Sequence, residues 1–219
     1  MDVVVIVAAH NEAARLPATL DALEQAFAGA RVIVADDGST DETAALARAA
    51  GAEVVSTGRD IGKGGAMTLA ARRVDGRPMV VVCDGDLGAS ARHLPALVAA
   101  VHAGRADLAI GAFARRQGGG FGLAVGFARW VTRRLAGLEL QAPISGQRAM
   151  RREVLDVVVP FAPRFGMETA MNIDAARAGF RVAEVPLDLE HRATGRTLRG
   201  FFHRARQLAD FAAVALDRR

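Results

Sequence analysis

Val3-Val4-Val5-Ile6-Val7 is an unbroken β-branched run that stops at Ala8-Ala9-His10-Asn11-Glu12. A continuous apolar run of that length predicts a buried strand followed by a loop. Leu16, Leu20, Leu23 and Phe27 then recur at spacings of three and four, with Pro17 near the start, which predicts an amphipathic helix. The same reading gives strands over 31–35, 52–56, 79–83 and 108–111, helices over 43–50 (closed by Gly51) and 94–101, and over 62–73 a loop running into a helix. Beyond Gly118-Gly119-Gly120 it gives a helix over about 121–135 carrying Trp130. There follow a segment 144–150 leading into a helix near 152–157, a helix over 165–178 and a strand over 182–189. Leu198, Phe201, Phe202, Ala205, Leu208 and Ala212 share one face of a final amphipathic helix. Strands alternating with helices at this spacing predict an α/β chain with a Rossmann-like, mainly parallel central sheet and helices on both faces. No repeat or low-complexity linker interrupts residues 1–219, which read as one domain.

Composition narrows the class. Of 219 residues 51% are hydrophobic and 24% charged, a globular balance that excludes a disordered or fibrous chain. Lone Cys83 leaves no intrachain disulfide and fits a reducing cytoplasm. The apolar run that begins directly after the first residues leaves no room for a signal peptide, and no run reaches membrane-spanning length. The net charge of +4 suits an anionic partner. Every cation except Lys63 is an arginine, so the single lysine is informative, as is Asn11, one of two asparagines.

Acidic clusters follow the first, second and fourth strands: Asn11-Glu12, Asp36-Asp37-Gly38-Ser39 and Asp84-Gly85-Asp86. In open α/β sheets the ligand site lies beyond the carboxyl ends of the strands, so these clusters converge there. Asp84 and Asp86 read in two ways, as hard oxygen ligands for Mg²⁺ or Mn²⁺ bridging a diphosphate or as an Asx-type turn around Gly85. Ser39-Thr40-Asp41 equally suits a helix cap. Lys63 precedes Gly64 rather than Ser or Thr, which excludes a P-loop, and no Gly-x-Gly-x-x-Gly follows the first strand. Nothing in the motifs points to nucleic acid.

Val7-Ala8-Ala9-His10-Asn11-Glu12, Ala35-Asp36-Asp37-Gly38-Ser39-Thr40-Asp41, Gly62-Lys63-Gly64-Gly65-Ala66 and Asp84-Gly85-Asp86 resemble the serial motifs of family 2 glycosyltransferases with the GT-A fold. Ser145-Gly146-Gln147-Arg148-Ala149, Phe165-Gly166-Met167-Glu168, Val185-Pro186-Leu187 and Arg192-Ala193-Thr194-Gly195-Arg196-Thr197 resemble the dolichol-phosphate mannose synthase branch. Gln147 stands where an aromatic is common in that branch, and Ala142 where an acidic residue is usual.

The resemblance implies a nucleotide-sugar-binding half over 1–111 and an acceptor-binding half over 112–219. Ala8, Asn11 and Glu12 would line the nucleoside pocket, Asp37 would read base or ribose, and Lys63 would lie near the nucleotide. Asp84 would face ribose or metal, and Asp86 would be the principal metal ligand. Arg148 and Arg192 would meet phosphate, where planar forks suit bidentate binding. Glu168 would lie near the acceptor. His191 resembles a metal-binding histidine of related glucosyl-3-phosphoglycerate synthases, or else is a surface histidine at a strand end.

The expected activity is metal-dependent transfer from a UDP- or GDP-linked sugar to a polyprenyl phosphate, with a homodimer allowed. A soluble phosphorylated acceptor such as phosphoglycerate, or a nucleotide-sugar-binding protein without turnover, are the rival readings. Residues 198–216, with Arg199, His203 and Arg206 off the apolar face, either rest on anionic lipid at the inner membrane face or pack on the sheet.

Overall fold

The computed structural model describes residues 2–113, 122–163, 166–189, 216 and 218. Seven strands form one sheet: β1 (Val3–Ala9), β2 (Arg31–Asp36), β3 (Glu53–Ser56), β4 (Met79–Asp84), β5 (Leu108–Phe113), β6 (Arg148–Arg151) and β7 (Val182–Leu187). Their spatial order is β3-β2-β1-β4-β6-β5-β7. The helices are α1 (Leu16–Ala26), α2 (Thr43–Ala49), α3 (Lys63–Ala71), α4 (Pro95–His102), α5 (Gly122–Ala136), α6 (Arg152–Val158) and α7 (Met167–Arg177).

Alternation along β1 shows why the first strand is apolar throughout. Val3, Val5 and Val7 join Leu16, Leu20 and Leu23 of α1 and Leu97, Val98 and Val101 of α4 in one cluster. Val4 and Ile6 point the other way, into a cluster with Met67 of α3, Val154 and Leu155 of α6 and Met171 of α7. With helices on both faces there is no position on this strand for a polar side chain. Val3 to Val7 are each at most 1% exposed, and a fully buried Val or Ile contributes about 1.5–3 kcal/mol.

The register sets the level of the site. β1 runs parallel to β2 and β4, with Ala9 opposite Asp36 and Ala8 opposite Asp84. The three chains therefore leave the sheet side by side, and the loops after them meet. Gly51 closes α2 at φ 81°, a left-handed conformation that favours glycine, and its N–H donates to the Arg48 carbonyl at 3.0 Å.

The sheet departs from the sequence-based expectation at β6. It runs antiparallel to both neighbours, with Arg148 opposite Val82 on one side and Ile110 on the other. Four residues bounded by arginines carry no apolar alternation, so the pattern hid a central strand. Residues 88–93 form a 3₁₀ turn (Gly88–His93) that the helical spacing before α4 did not announce. His191, Arg192 and nearly all of the amphipathic stretch 198–216 lie outside the described residues. Near the C-terminus, Arg218 donates to both carboxylate oxygens of Asp174 on α7 at 2.7 Å each. Among the described residues no helix is long and apolar enough to cross a membrane.

Candidate active site

The loops after β1 and β2 are tied together. Asn11 takes a positive φ of 55°, which asparagine tolerates better than most residues. Its N–H donates to Ser39 Oγ at 2.9 Å and its Oδ1 accepts from the Thr40 N–H at 2.8 Å. Asn11 thus joins two loops, and its side chain points to Thr40 rather than lining the cleft below. The two adjacent aspartates after β2 divide the work. Asp36 is an internal strut, accepting from the Ser39 N–H at 3.1 Å and from Ser56 Oγ at 2.7 Å. Asp37 lines the cleft while its Oδ1 accepts from the Ile61 N–H at 2.8 Å.

That cleft, of about 230 Å³, is walled by Ala8, Ala9, His10 and Glu12 from the first loop, by Ala35 and Asp37 from the second, and by Lys63 and Ala66 from α3. Its far wall is Asp84, Gly85 and Asp86. His10 sits in the loop after β1. Its Nδ1 lies 2.8 Å from the Asp37 carbonyl, bracing the wall. Only its place between two strand ends signals this.

Lys63 opens α3, and Glu168 sits in the first turn of α7. An acidic residue at that end complements the helix dipole. The Lys63 ammonium donates to Asp84 Oδ1 at 2.6 Å and to Glu168 Oε1 at 2.7 Å. Burial works against the ammonium, but the two carboxylates outweigh it and hold its pKa above the ordinary lysine value. Lys63 is therefore a fixed positive charge, and it joins the aspartate motif to α7.

Asp84 is held from the other side by Gln147. Gln147 Nε2 donates to Asp84 Oδ2 at 3.0 Å, and its Oε1 accepts from the Asp84 N–H at 3.3 Å. A Cβ on Gly146 would collide with the same carboxylate, so any larger residue there requires Asp84 to move. Asp86 differs. It is half-buried, Arg15 reaches its backbone carbonyl at 3.4 Å, and among the described residues no side chain pairs with its carboxylate. Among the described residues no group of three His, Cys, Asp or Glu side chains could hold a metal ion. The Asp86 carboxylate at this cleft still fits Mg²⁺ or Mn²⁺, because such ions take one or two protein carboxylates and complete their shell with phosphate oxygens and water.

Arg148 corrects the sequence-based expectation. Its side chain is fully buried, donating to the carbonyls of Ser145 at 2.9 Å and Pro143 at 3.1 Å and to Asn172 Oδ1 at 2.6 Å. Burial lowers its pKa to about 10, against the pull of Glu168, Asp84 and Glu184. A guanidinium so enclosed anchors a loop instead of meeting phosphate. Cys83 is buried, and desolvation pushes its thiol pKa up.

A mainly parallel sheet with helices on both faces, and an aspartate pair opening on a cleft at its strand ends, define the GT-A class of glycosyltransferases. The sequence profile of glycosyl transferase family 2 matches residues 4–159, and the chain belongs to that family. It is 35% identical over 206 residues to an uncharacterized glycosyltransferase of Mycobacterium tuberculosis, covering 89% of this chain and 88% of that one. It is 32% identical over 221 residues to the undecaprenyl-phosphate mannosyltransferase of Micrococcus luteus, covering 90% and 87%. Glucosyl-3-phosphoglycerate synthase from Mycobacterium tuberculosis in complex with phosphoglyceric acid superimposes with a TM-score of 0.81 at 31% identity, covering 99% of this chain and 79% of that one. The same synthase with Mn²⁺, UDP and glucosyl-3-phosphoglycerate gives a TM-score of 0.79 at 30% identity, with coverage again 99% and 79%.

Proposed function

We propose that this glycosyltransferase moves a hexosyl group from a UDP- or GDP-linked sugar to a polyprenyl phosphate at the inner face of the cell membrane, with Mg²⁺ or Mn²⁺ bound beside Asp86. The observation that carries the donor half is the Asp86 carboxylate, unpaired among the described residues, next to the clamped Asp84, at one end of a cleft whose other end is Asp37. The relative that shares 32% identity is named for transfer to undecaprenyl phosphate, which supports the acceptor half.

In this reading Asp37, His10 and Glu12 enclose the nucleoside, and Asp84 and Asp86 face the diphosphate. A cation held beside Asp86 would supply positive charge to the departing nucleotide. Lys63 keeps its proton and neutralises part of the Asp84 and Glu168 charge, so the wall of the cleft repels an incoming anion less. Glu168 stands on the α7 side of Lys63, where the acceptor half of the chain begins to form the site. An acceptor phosphate is already anionic and needs alignment rather than a strong base. One displacement by its oxygen on the anomeric carbon, with the nucleoside diphosphate leaving, inverts that centre.

A second reading is a soluble acceptor. The similarity to a structure holding phosphoglyceric acid favours it. A partition assay separates the two. The full chain is incubated with radiolabelled UDP-glucose or GDP-mannose and Mn²⁺, with undecaprenyl phosphate in detergent micelles or with 3-phosphoglycerate. Label entering the butanol phase supports the polyprenyl acceptor, and label in an anionic aqueous product supports the soluble one. Metal-independent release of free sugar alone, with either donor, contradicts both.

A further inference from the structure

Gln147 lies outside the aspartate motifs, yet it touches Asp84 twice. Its side-chain carbonyl takes the Asp84 backbone N–H at 3.3 Å and its amide donates to Asp84 Oδ2 at 3.0 Å. Lys63 takes the other oxygen, Oδ1, at 2.6 Å. A carboxylate gripped at its own backbone and at both oxygens cannot leave its rotamer without breaking bonds that burial makes expensive to lose.

The gripping residue is itself fixed. Gln147 is 3% exposed, its carbonyl accepts from the Gly111 N–H at 2.8 Å, and its N–H reaches Ser145 Oγ at 3.4 Å. Directly behind it Arg148 ties the Pro143 and Ser145 carbonyls to Asn172 of α7. The register that puts Val82 opposite Arg148, continued along the two strands, puts Asp84 opposite Gly146. This explains why the loop backbone closes against the carboxylate. Only an amide meets both demands, because the N–H of Asp84 needs an acceptor and Oδ2 needs a donor. A glutamate would set charge against charge, and an apolar side chain would serve neither.

We infer that Gln147 is a positioning residue for Asp84. It fixes the plane of that carboxylate towards the donor, while Arg148 anchors the loop that carries the clamp. The inference rests on the donor-site reading given above. It makes Asp84 the rigid member of the aspartate pair and Asp86 the member whose carboxylate meets no other side chain among the described residues.

The test uses the full chain and two variants. Gln147→Met keeps the volume and removes both bonds, whereas Gln147→Glu keeps the acceptor for the Asp84 N–H and opposes Oδ2 with a carboxylate. Each is measured alone and in an Asp84→Ala background for thermal midpoint, kcat, KM and Mn²⁺-dependent UDP affinity. Amide exchange at Asp84 is measured in the Asp84-containing proteins.

In Gln147→Met the Asp84 amide is expected to exchange at least about tenfold faster, because its acceptor is gone. For both variants kcat is expected to fall about tenfold or more while the donor KM stays within about threefold. In the Asp84→Ala background the same substitutions should cost less than about twofold, since the clamp has nothing left to hold. Losses that multiply in the double variants, wild-type kcat, or unchanged Asp84 exchange overturn the inference. Failure of both Gln147 variants to fold also overturns it, because Gln147 is then a structural residue. If the wild-type chain transfers no sugar, the donor reading fails, while Asp84 exchange still decides whether the clamp exists.

Discussion

Lys63→Met removes the ammonium that Asp84 and Glu168 both accept from and keeps most of the side-chain volume. Both carboxylate oxygens lie within 2.7 Å of the same ammonium. They are therefore within about 5 Å of each other, where two negative charges repel by about 3 kcal/mol at an effective dielectric of about 20. The Glu168 side chain is only 8% exposed, so its charge loses its partner inside the protein. Removing one partner of a buried pair costs about 3–5 kcal/mol, and the partial exposure of Asp84 (32%) favours the lower end. The pH dependence gives the test its sign. In the wild type the pKa of Lys63 is raised above 10.5, so its stabilisation is complete below that value and is lost only as pH rises through the raised one. Between pH 5 and 8 this group contributes a constant amount. In the variant the two carboxylates repel while both are charged, so the penalty is full at neutral pH and smaller where acid neutralises one of them. Urea denaturation at pH 7.5 should show Lys63→Met less stable by about 3 kcal/mol, with a smaller deficit at pH 5.5. Adding Glu168→Gln should recover at least about 1 kcal/mol at pH 7.5. A deficit below about 1 kcal/mol that is the same at both pH values would refute the reasoning and mark the pair as solvent-screened.

Arg148→Lys keeps a charge but cannot reach three acceptors at once, so it should destabilise by about 2–4 kcal/mol in urea while the folded fraction binds UDP with unchanged affinity; a normal midpoint with weakened UDP binding would return Arg148 to a phosphate-contacting role. Gly146→Ala forces its methyl into the Asp84 carboxylate and should lower kcat more than tenfold, read by steady-state kinetics, with a melting midpoint shifted by only a few degrees; unchanged kcat would mean that Asp84 moves freely. If residues 198–216 meet anionic lipid, the full chain should pellet with anionic vesicles and be released as salt rises, whereas equal pelleting with and without vesicles would sink that reading.

Much of the first half of the fold was legible because β1 and β4 are buried on both faces and α1 on one. Uninterrupted β-branched runs and the spacing of Leu16, Leu20 and Leu23 report that burial directly. The strand ends were legible as well, since Asp37, Lys63, Asp84 and Asp86 come together at one cleft. β6 was not, because its pattern is set by tertiary partners: Arg148 is buried only by virtue of acceptors on the 143–145 loop and α7. An arginine that would read as a phosphate ligand at a surface becomes an interior anchor there. Gln147 was hidden for the same reason. Its role depends on Asp84, which lies 63 positions away in the chain, and no local spacing encodes that meeting. The partnership of Lys63 with Glu168 spans 105 positions and was equally out of reach, although the rarity of lysine in this chain did mark Lys63 as worth attention.

The most direct test of the donor site is calorimetric titration of UDP and of GDP into the wild type and into Asp86→Asn, each with and without Mn²⁺. Asparagine keeps the shape and one carbonyl oxygen and removes the charge, so the variant should melt like the wild type. The wild type should bind one of the two nucleotides at least about tenfold more tightly with Mn²⁺ than without, since a diphosphate otherwise adds its charge to Asp37, Asp84 and Asp86 at about 1–4 kcal/mol per close like-charged pair. Asp86→Asn should lose that metal-dependent increment. Binding that ignores Mn²⁺ in the wild type, or a variant that titrates like it, would show that the carboxylates after β4 form only a turn.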